Sequence, residues 1–209
     1  MSLDPQDEQS NAGQMLGGDL SNLFRCIDRD KVHGLNLAVP EQAKAIVKPW
    51  HEREDTGEFA DSGVDDQIII YVPFAQNVRL KSVLVKSGRG ESSPTRLRIY
   101  ANHPTIVDFV DAESTKPQLD IALLQGQVAA VEYPLRVAAF TSVTSLSLFF
   151  SDAAGGEVSR LFYLGFRGDV REQKREVDEM LQVPAPNVAD APLVDKVAER
   201  AAGQQTTAR

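Results

Sequence analysis

Cysteine is almost absent from this chain, and its scarcity excludes several kinds of chemistry at once. Of the 209 residues, only Cys26 is a cysteine, so no disulfide can form within the chain and a reducing compartment is expected. Histidine is also scarce, with residues only at positions 33, 51 and 103. None of them has a second histidine or a cysteine at the spacing of a zinc site. The sequence therefore predicts neither a bound metal nor a cofactor.

Positive charge and long apolar runs are the next deficits. The chain has 22 lysines and arginines against 30 acidic residues, a formal net charge of -8. Phosphate backbones and anionic lipids repel such a chain, so we expect neither nucleic acid nor a membrane as its partner. No apolar run approaches the roughly 20 residues of a membrane span, and the opening MSLDPQDEQS is polar rather than signal-like. We expect an intracellular protein in the cytoplasm, with the nucleus as a second compartment.

Short apolar stretches with strand character are what the sequence does contain. In PTRLRIYANHP, Leu97 and Ile99 alternate with polar or aromatic neighbours, as in a strand with one buried face. Residues 68–74, IIIYVPF, are apolar on both faces, so we expect this strand to be covered on both sides. Pro134 in VEYPLRV cannot donate to a ladder and predicts an edge strand or a bulge. The pattern predicts an all-β protein, built as a β-sandwich.

The composition divides the chain into three segments. Residues 1–18 are polar and predict a flexible N-terminal tail, residues 19–170 form the sandwich, and residues 171–209 predict a charged helix followed by a flexible tail rich in proline and alanine. Within the sandwich, KPWHEREDTGEFADSG predicts a long exposed loop. The glycine-bearing KSGRGESSP and DAAGGE predict hairpin connections between consecutive strands.

The acidic pair before the first long strand has two interpretations. Asp65 and Asp66 could act as an acid and a base, or they could mark the strand start with Gln67 bonded to a neighbouring loop. Adjacent residues in an extended strand point to opposite faces, so the two carboxylates are badly placed to share a proton or a metal. The structural interpretation, in which they bind nearby backbone N–H groups, is therefore favoured.

Taken in order, the strand stretches resemble those of a known family, the PITH (proteasome-interacting thioredoxin) domain. The stretches are SGVDDQIIIYVPF, VRLKSVLV, RLRIYANHPTIVDFVDAE, YPLRVAAFTSVTSLSLFFSD and VSRLFYLGFRGD, within residues 19–170. The positions taken as belonging to the family's motifs are Asp65, Asp66, Gln67, Pro73, Phe74, Asn102, Phe109, Phe149, Phe150, Gly165 and Gly168.

The resemblance implies a jelly-roll β-sandwich similar to galactose-binding-like folds, acting as a docking module rather than an enzyme. In the thioredoxin-linked members this domain docks on the proteasome, so the regulatory particle is the implied partner of what we expect to be a monomer. The thioredoxin domain and its Cys-X-X-Cys motif are missing here, so redox activity does not carry over. Where many members have Cys-Leu-Asn, this chain has Gly34-Leu35-Asn36.

Two functional hypotheses remain open at this point. The first is a protein-interaction module, in which Trp50 either packs on the core or anchors a partner. The second is a small-ligand or carbohydrate-binding module at one end of the sandwich, which rests on fold analogy. The candidate binding residues are Trp50, His51, Arg89, Asn102 and His103.

Overall fold

Residues 21–171 are the part of the chain that this computed structural model describes, and the predicted tails, apart from Arg171, lie outside them. The strands are β1 (His33–Leu35), β2 (Ala60–Asp61), β3 (Ile68–Ser87), β4 (Pro94–Ala101), β5 (Leu119–Ala122), β6 (Val131–Pro134), β7 (Val143–Ala153) and β8 (Arg160–Val170). The α-helices are α1 (Gln42–Ala45) and α2 (Phe109–Ser114). Single 3-10 turns lie at Phe24–Cys26, Arg29–Lys31, Trp50–Glu52, Gly90–Ser92 and Val137–Ala139.

Strand β3 organises the fold because its two halves belong to different sheets. Residues 68–73 pair antiparallel with β1 and β7, and β7 continues to β4 and β5; we call this group sheet one. Residues 78–87 pair antiparallel with β8, which continues to β2, while residues 82–85 pair with β6; we call this group sheet two. The register shifts between Pro73 and Val78. The sequence predicted two separate strands here, whereas the structure has one strand that changes sheets at this irregularity.

The predicted all-β sandwich is confirmed, and the inner faces of its two sheets share one apolar core. Ile70 of β3, Leu148 of β7 and Ile99 of β4 come from sheet one, and Val83 and Leu164 come from sheet two. These side chains are fully buried. The alternation predicted for β4 is therefore correct, since it places Leu97 and Ile99 in this core.

A second, smaller apolar cluster covers the outer face of sheet one. Ile69, Tyr100 and Phe149 point away from the main core. They pack with Val107, which precedes α2, and with Ala112, which lies in α2. The Tyr100 hydroxyl donates to the Ala112 carbonyl oxygen at 2.7 Å. The prediction that residues 68–74 are covered on both faces is confirmed.

Two predicted hairpins are wrong. The segment after β3 leads to β4, but β4 pairs with β5 and β7 and not with β3. Likewise β7 pairs with β3 and β4, whereas β8 pairs with β2 and β3. Both glycine-bearing segments therefore cross from one sheet to the other. Pro134 ends β6, whose only pairing within the described residues is to β3, as expected of an edge strand.

Candidate functional site

The acidic pair before β3 binds backbone groups, as the structural interpretation predicted. The Asp65 Oδ1 atom accepts from the Gln67 backbone N–H at 3.0 Å and from the Asn36 side-chain amide at 2.6 Å. The Asp66 Oδ2 atom accepts from the Ala153 backbone N–H at 2.6 Å. Gln67 takes part through its backbone, because its carbonyl oxygen accepts from the Asn36 amide at 2.7 Å. The two carboxylates thus hold different loops.

Asn102 joins the end of β4 to the start of β7. Its backbone has a φ of 53°, a left-handed conformation that asparagine tolerates better than most residues. Its side-chain amide donates to the Ser142 carbonyl oxygen at 2.6 Å, and its Oδ1 atom accepts from the Thr144 backbone N–H at 2.8 Å. The neighbouring His103 contacts the Thr105 carbonyl oxygen through Nδ1 at 3.0 Å. This candidate pair lies in a local hydrogen-bonded turn.

The remaining family-motif positions lie in the core or at close backbone contacts. Phe150 and Phe74 belong to the main core, Pro73 lies in β3 beside Phe74, and Phe109 contacts Phe149 edge-on in the second cluster. The two glycines, Gly165 and Gly168, lie in β8. A Cβ atom at Gly168 would collide with the Arg79 carbonyl oxygen, and one at Gly165 with the Tyr163 hydroxyl.

Trp50 packs on the outer face of sheet two. It is half-buried, and the guanidinium groups of Arg53 and Arg167 lie over its ring at 4.1 Å and 4.3 Å from the centroid. Arg167 also donates to Glu132 of β6 at 2.7 Å. Trp50 is therefore packed against the protein, which is the first of its two interpretations. Its contact with a partner stays a prediction. His51 next to it is exposed.

Two buried lysines hold the loop at residues 48–59, since Lys48 bonds within the loop and Lys86 joins the loop to sheet two. Lys48 donates to the Asp55 carboxylate at 3.0 Å, and Lys86 of β3 donates to the Glu54 carboxylate at 2.8 Å. The loop predicted as exposed is therefore exposed only on its outer side. The role of Lys86 was not anticipated, because the sequence does not indicate which charged residues in an apolar strand are paired.

The same lysines affect the carboxylates beside them. Burial raises the pKa of Glu54, but hydrogen bonds from Lys86 and from the Ala130 backbone outweigh burial and lower the pKa overall. A hydrogen bond from the Gly57 backbone, followed by that from Lys48, lowers the pKa of Asp55. Both carboxylates therefore favour their charged form in the folded protein.

An open groove lies between this loop, the β3–β4 connection and the segment before β6. We call it the cationic groove and define it by six of its side chains, Phe59, Lys86, Arg89, Val128, Arg160 and Phe162. Its volume is about 450 Å³, within the range of small-molecule and peptide sites. Phe59 and Phe162 contact each other edge-on with centroids 6.2 Å apart, and Val128 is 68% exposed.

A β-bulge directs Phe162 to the groove. Ser87 pairs with Leu161 and Lys86 pairs with Tyr163, so Phe162 is the extra residue of β8 at this position. Bulges re-aim side chains in this way. Leu161 and Tyr163 are fully buried, whereas Phe162 is only half-buried. The sequence carries one signal for it, a run of four apolar or aromatic residues at 161–164 that breaks the two-residue period of the strand.

The five candidate binding residues do not form one site. Arg89 lines the groove and precedes β4, whereas Asn102 and His103 follow it. The eight residues of β4 separate the two ends by about 25 Å at roughly 3.3 Å per residue. Trp50 lies over Arg167 rather than in the groove. Only Arg89 of the five belongs to the groove, and its aromatic residues were not predicted.

The described residues do not assemble a metal-binding cluster of histidine, cysteine and acidic side chains. Within residues 21–171, no group of three histidine, cysteine or acidic side chains is arranged to hold a metal ion. His33 lies against Tyr71, with ring centroids 4.9 Å apart, and Cys26 packs beside the main core. Burial raises the pKa of the Cys26 thiol, which reduces its nucleophilic thiolate fraction. No helix in this part of the chain is long and apolar enough to span a membrane.

Comparison with known proteins relates this architecture to one protein family. The family model described as the PITH domain matches residues 14–185. PITH domain-containing protein 1 of Danio rerio is 33% identical over 169 residues, which are 80% of this chain and 80% of the relative. PITH domain-containing protein 1 of Homo sapiens is 30% identical over 153 residues, 73% of this chain and 72% of the relative.

Solved structures resemble the fold at low sequence identity. The CBM32-3 domain from a family 31 glycoside hydrolase of Clostridium perfringens has a TM-score of 0.51 and 13% identity, covering 73% of this chain and 98% of its own. The CBM32-1 and CBM32-2 domains of Clostridium perfringens ZmpB, in complex with GalNAc, have a TM-score of 0.54 and 12% identity, covering 77% of this chain and 39% of theirs. These similarities agree with the predicted galactose-binding-like sandwich.

Proposed function

Because the chain belongs to the PITH domain family, we propose that it is a non-catalytic interaction module that binds a protein partner through the cationic groove. One observation carries the proposal. The groove presents Arg89 and Val128 to solvent, and the Arg89 side chain makes no hydrogen bond or ion pair within residues 21–171. Arginine and aromatic side chains, such as Arg89, Phe59 and Phe162 here, are enriched at protein–protein interfaces.

The absence of an enzymatic role is part of the same proposal. The carboxylates that could have acted as an acid and a base, Asp65 and Asp66, are hydrogen-bonded to separate loops. A general acid or base needs a free group within reach of a substrate. Binding without chemistry is therefore the activity that this geometry supports best.

The family resemblance suggests the proteasome regulatory particle as the partner. Binding would take place in the cytoplasm and also in the nucleus. The acidic balance of the chain, -8 overall, disfavours nucleic acid and anionic membranes as partners. Within this proposal the chain acts as a monomer that binds another protein.

Affinity purification of the full chain from extract of its source cells, followed by mass spectrometry, tests this proposal. We expect proteasome regulatory subunits to be enriched over an untagged control, and Arg89→Glu to reduce their recovery. Arg136→Glu is the matched control, because Arg136 is exposed and lies beyond the other end of β6. If no stable partner is recovered with the unaltered chain, the interaction module is the wrong assignment.

A small-ligand or carbohydrate-binding module is the second candidate function. The similarity to the CBM32 domains and a groove of about 450 Å³ favour it, since such volumes fit a mono- or disaccharide. A glycan array and ligand-induced shifts of the melting temperature test it. A reproducible hit that Phe162→Ala abolishes would support a carbohydrate site, and flat results in both assays would contradict it.

A further inference from the structure

The charge of the cationic groove is opposite to that of the whole chain. Lys86, Arg89 and Arg160 line it, and no carboxylate of the described residues does. The acidic partners Glu54 and Asp61 bind Lys86 and Arg160 outside that lining. Arg89 is therefore the lining cation without a carboxylate partner among residues 21–171, and its charge attracts an anionic group to the groove.

The groove also retains hydrogen-bond donors that the fold does not use. Arg89 is exposed, and its guanidinium group contacts no acceptor among residues 21–171. Arg160 donates to Asp61 through Nε and Nη2, each at 2.6 Å, and its Nη1 has no acceptor in the same range. Guanidinium groups recognise carboxylates through two parallel hydrogen bonds. The unused donors therefore fit a ligand that carries carboxylate oxygens.

The rest of the groove fits an apolar side chain. The edge-on pair of Phe59 and Phe162 forms one apolar surface, and the exposed Val128 forms another. Arg160 lies over the Phe59 ring at 4.4 Å from its centroid, which holds the ring in place. Burying these apolar surfaces against an aromatic or aliphatic group of the ligand is favourable, and a purely charged ligand has no such group.

We propose that the cationic groove binds an acidic peptide segment in which an aromatic or aliphatic residue is flanked by aspartate or glutamate. The carboxylates contact Arg89 and Arg160, and the apolar side chain contacts Phe59, Phe162 and Val128. This inference rests on the proposed function, because it names the class of segment that a protein partner would present. A neutral sugar would leave the unused guanidinium donors without charged acceptors.

The test uses a short peptide in which phenylalanine is flanked on both sides by glutamate, titrated into the isotopically labelled full chain and followed by NMR. We expect backbone signals of Gly88, Arg89 and Val128 to shift. A peptide with glutamine in place of glutamate, and one with serine in place of phenylalanine, should each bind at least about fivefold more weakly. Rising salt should weaken the first peptide, because its contacts are electrostatic.

Two groove variants keep the test independent of folding. Arg89→Glu reverses an exposed charge, and Val128→Asp places a carboxylate on an exposed wall, so neither disturbs the core. We expect both to weaken peptide binding about tenfold or more, since each turns attraction into repulsion. Arg136→Glu makes the same charge change away from the groove and should leave the affinity within about twofold.

Several results would overturn the inference. Equal binding of the glutamate and glutamine peptides would remove the role of Arg89, and binding of sialyllactose but of neither peptide would assign the groove to an acidic sugar. A protein partner that is captured equally by the unaltered chain and both groove variants would leave the interaction module standing and place its contact elsewhere. The failure of this inference is thereby separated from the failure of the proposed function.

Discussion

The outer faces of the two sheets are covered in different ways. On sheet one, the cover is apolar, because Val107, Phe109 and Ala112 pack on Ile69 and Phe149. On sheet two, the cover is the loop at residues 48–59, which is held by lysine–carboxylate pairs and by Trp50 stacked with arginines. The first kind of cover depends on buried area and the second on charge.

This difference bears on where the molecule can bind a partner. A well-packed apolar cover leaves few polar groups free to bind anything else. A loop held by ion pairs leaves donors and ring faces at its margin, and the cationic groove lies at that margin, with Phe59 of the loop and Lys86 of the strand among its side chains. The charged cover therefore provides the candidate site, and the apolar cover provides stability.

The largest expected effect comes from removing the apolar cover of sheet one. Phe149→Ala deletes a ring that is 2% exposed and contacts both Phe109 and the Arg98 guanidinium. We expect a loss of about 3–5 kcal/mol in the free energy of unfolding, measured by urea denaturation. Val110→Ala, at a residue of the same helix that is 73% exposed, should change the free energy of unfolding by less than about 0.5 kcal/mol. A loss below about 1 kcal/mol for Phe149→Ala would mean that this cover is not packed as described.

A smaller loss is expected from the aromatic part of the charged cover. Trp50→Ala removes the ring over which Arg53 and Arg167 lie, but leaves the Arg167–Glu132 ion pair in place. We expect a loss of about 1–2 kcal/mol, because the ring is only half-buried and its contacts are cation–π pairs. Urea denaturation measures it. A loss as large as that of Phe149→Ala would show that the two covers do not differ in strength.

The sequence predicted the regular parts of this fold and not the way the sheets are covered. Alternation identified Leu97 and Ile99 as core residues because strand periodicity depends on local sequence alone. The pairing of Lys86 with Glu54, by contrast, joins residues 32 positions apart, and no local pattern encodes it. The bulge at Phe162 likewise depends on the register between β3 and β8. Arg89 was the one groove residue found in advance, and hydrophobic periodicity cannot show that it lies beside two phenylalanines.

Replacing Lys86 tests whether its charge itself stabilises the cover of sheet two. Lys86→Met keeps most of the buried side-chain volume and removes the ammonium group, while Glu54, at 46% exposure, remains solvated. We expect a change of no more than about 1 kcal/mol in the free energy of unfolding, of either sign, since a buried ion pair and a buried apolar side chain are often equivalent. Lys81→Met, at an exposed ion pair with Asp169, is the comparison. A loss above about 3 kcal/mol for Lys86→Met would show that the ion pair is essential.

The smallest expected effect is on the pH dependence of the free energy of unfolding, and it is specific to the carboxylates of the cover of sheet two. Glu54 and Asp55 have lowered pKa values in the folded protein, so the unfolded chain binds more protons than the folded chain as the pH falls. Their contribution to the free energy of unfolding is complete above their ordinary pKa values of 4.5 and 3.8. It is lost as the pH falls through their lower pKa values in the folded protein. Urea titrations between about pH 7 and about pH 3 should show a shallower decline for Glu54→Gln combined with Asp55→Asn.

The matched control for that titration is Glu41→Gln combined with Glu113→Gln. Both residues are exposed, and their side chains make no ion pair within residues 21–171, so the decline should match that of the unaltered chain. An equal decline in all three proteins would mean that the loop carboxylates do not stabilise the folded state through their charge. A shallower decline confined to the loop variant would assign the acid sensitivity to the cover of sheet two, whose margin forms the cationic groove.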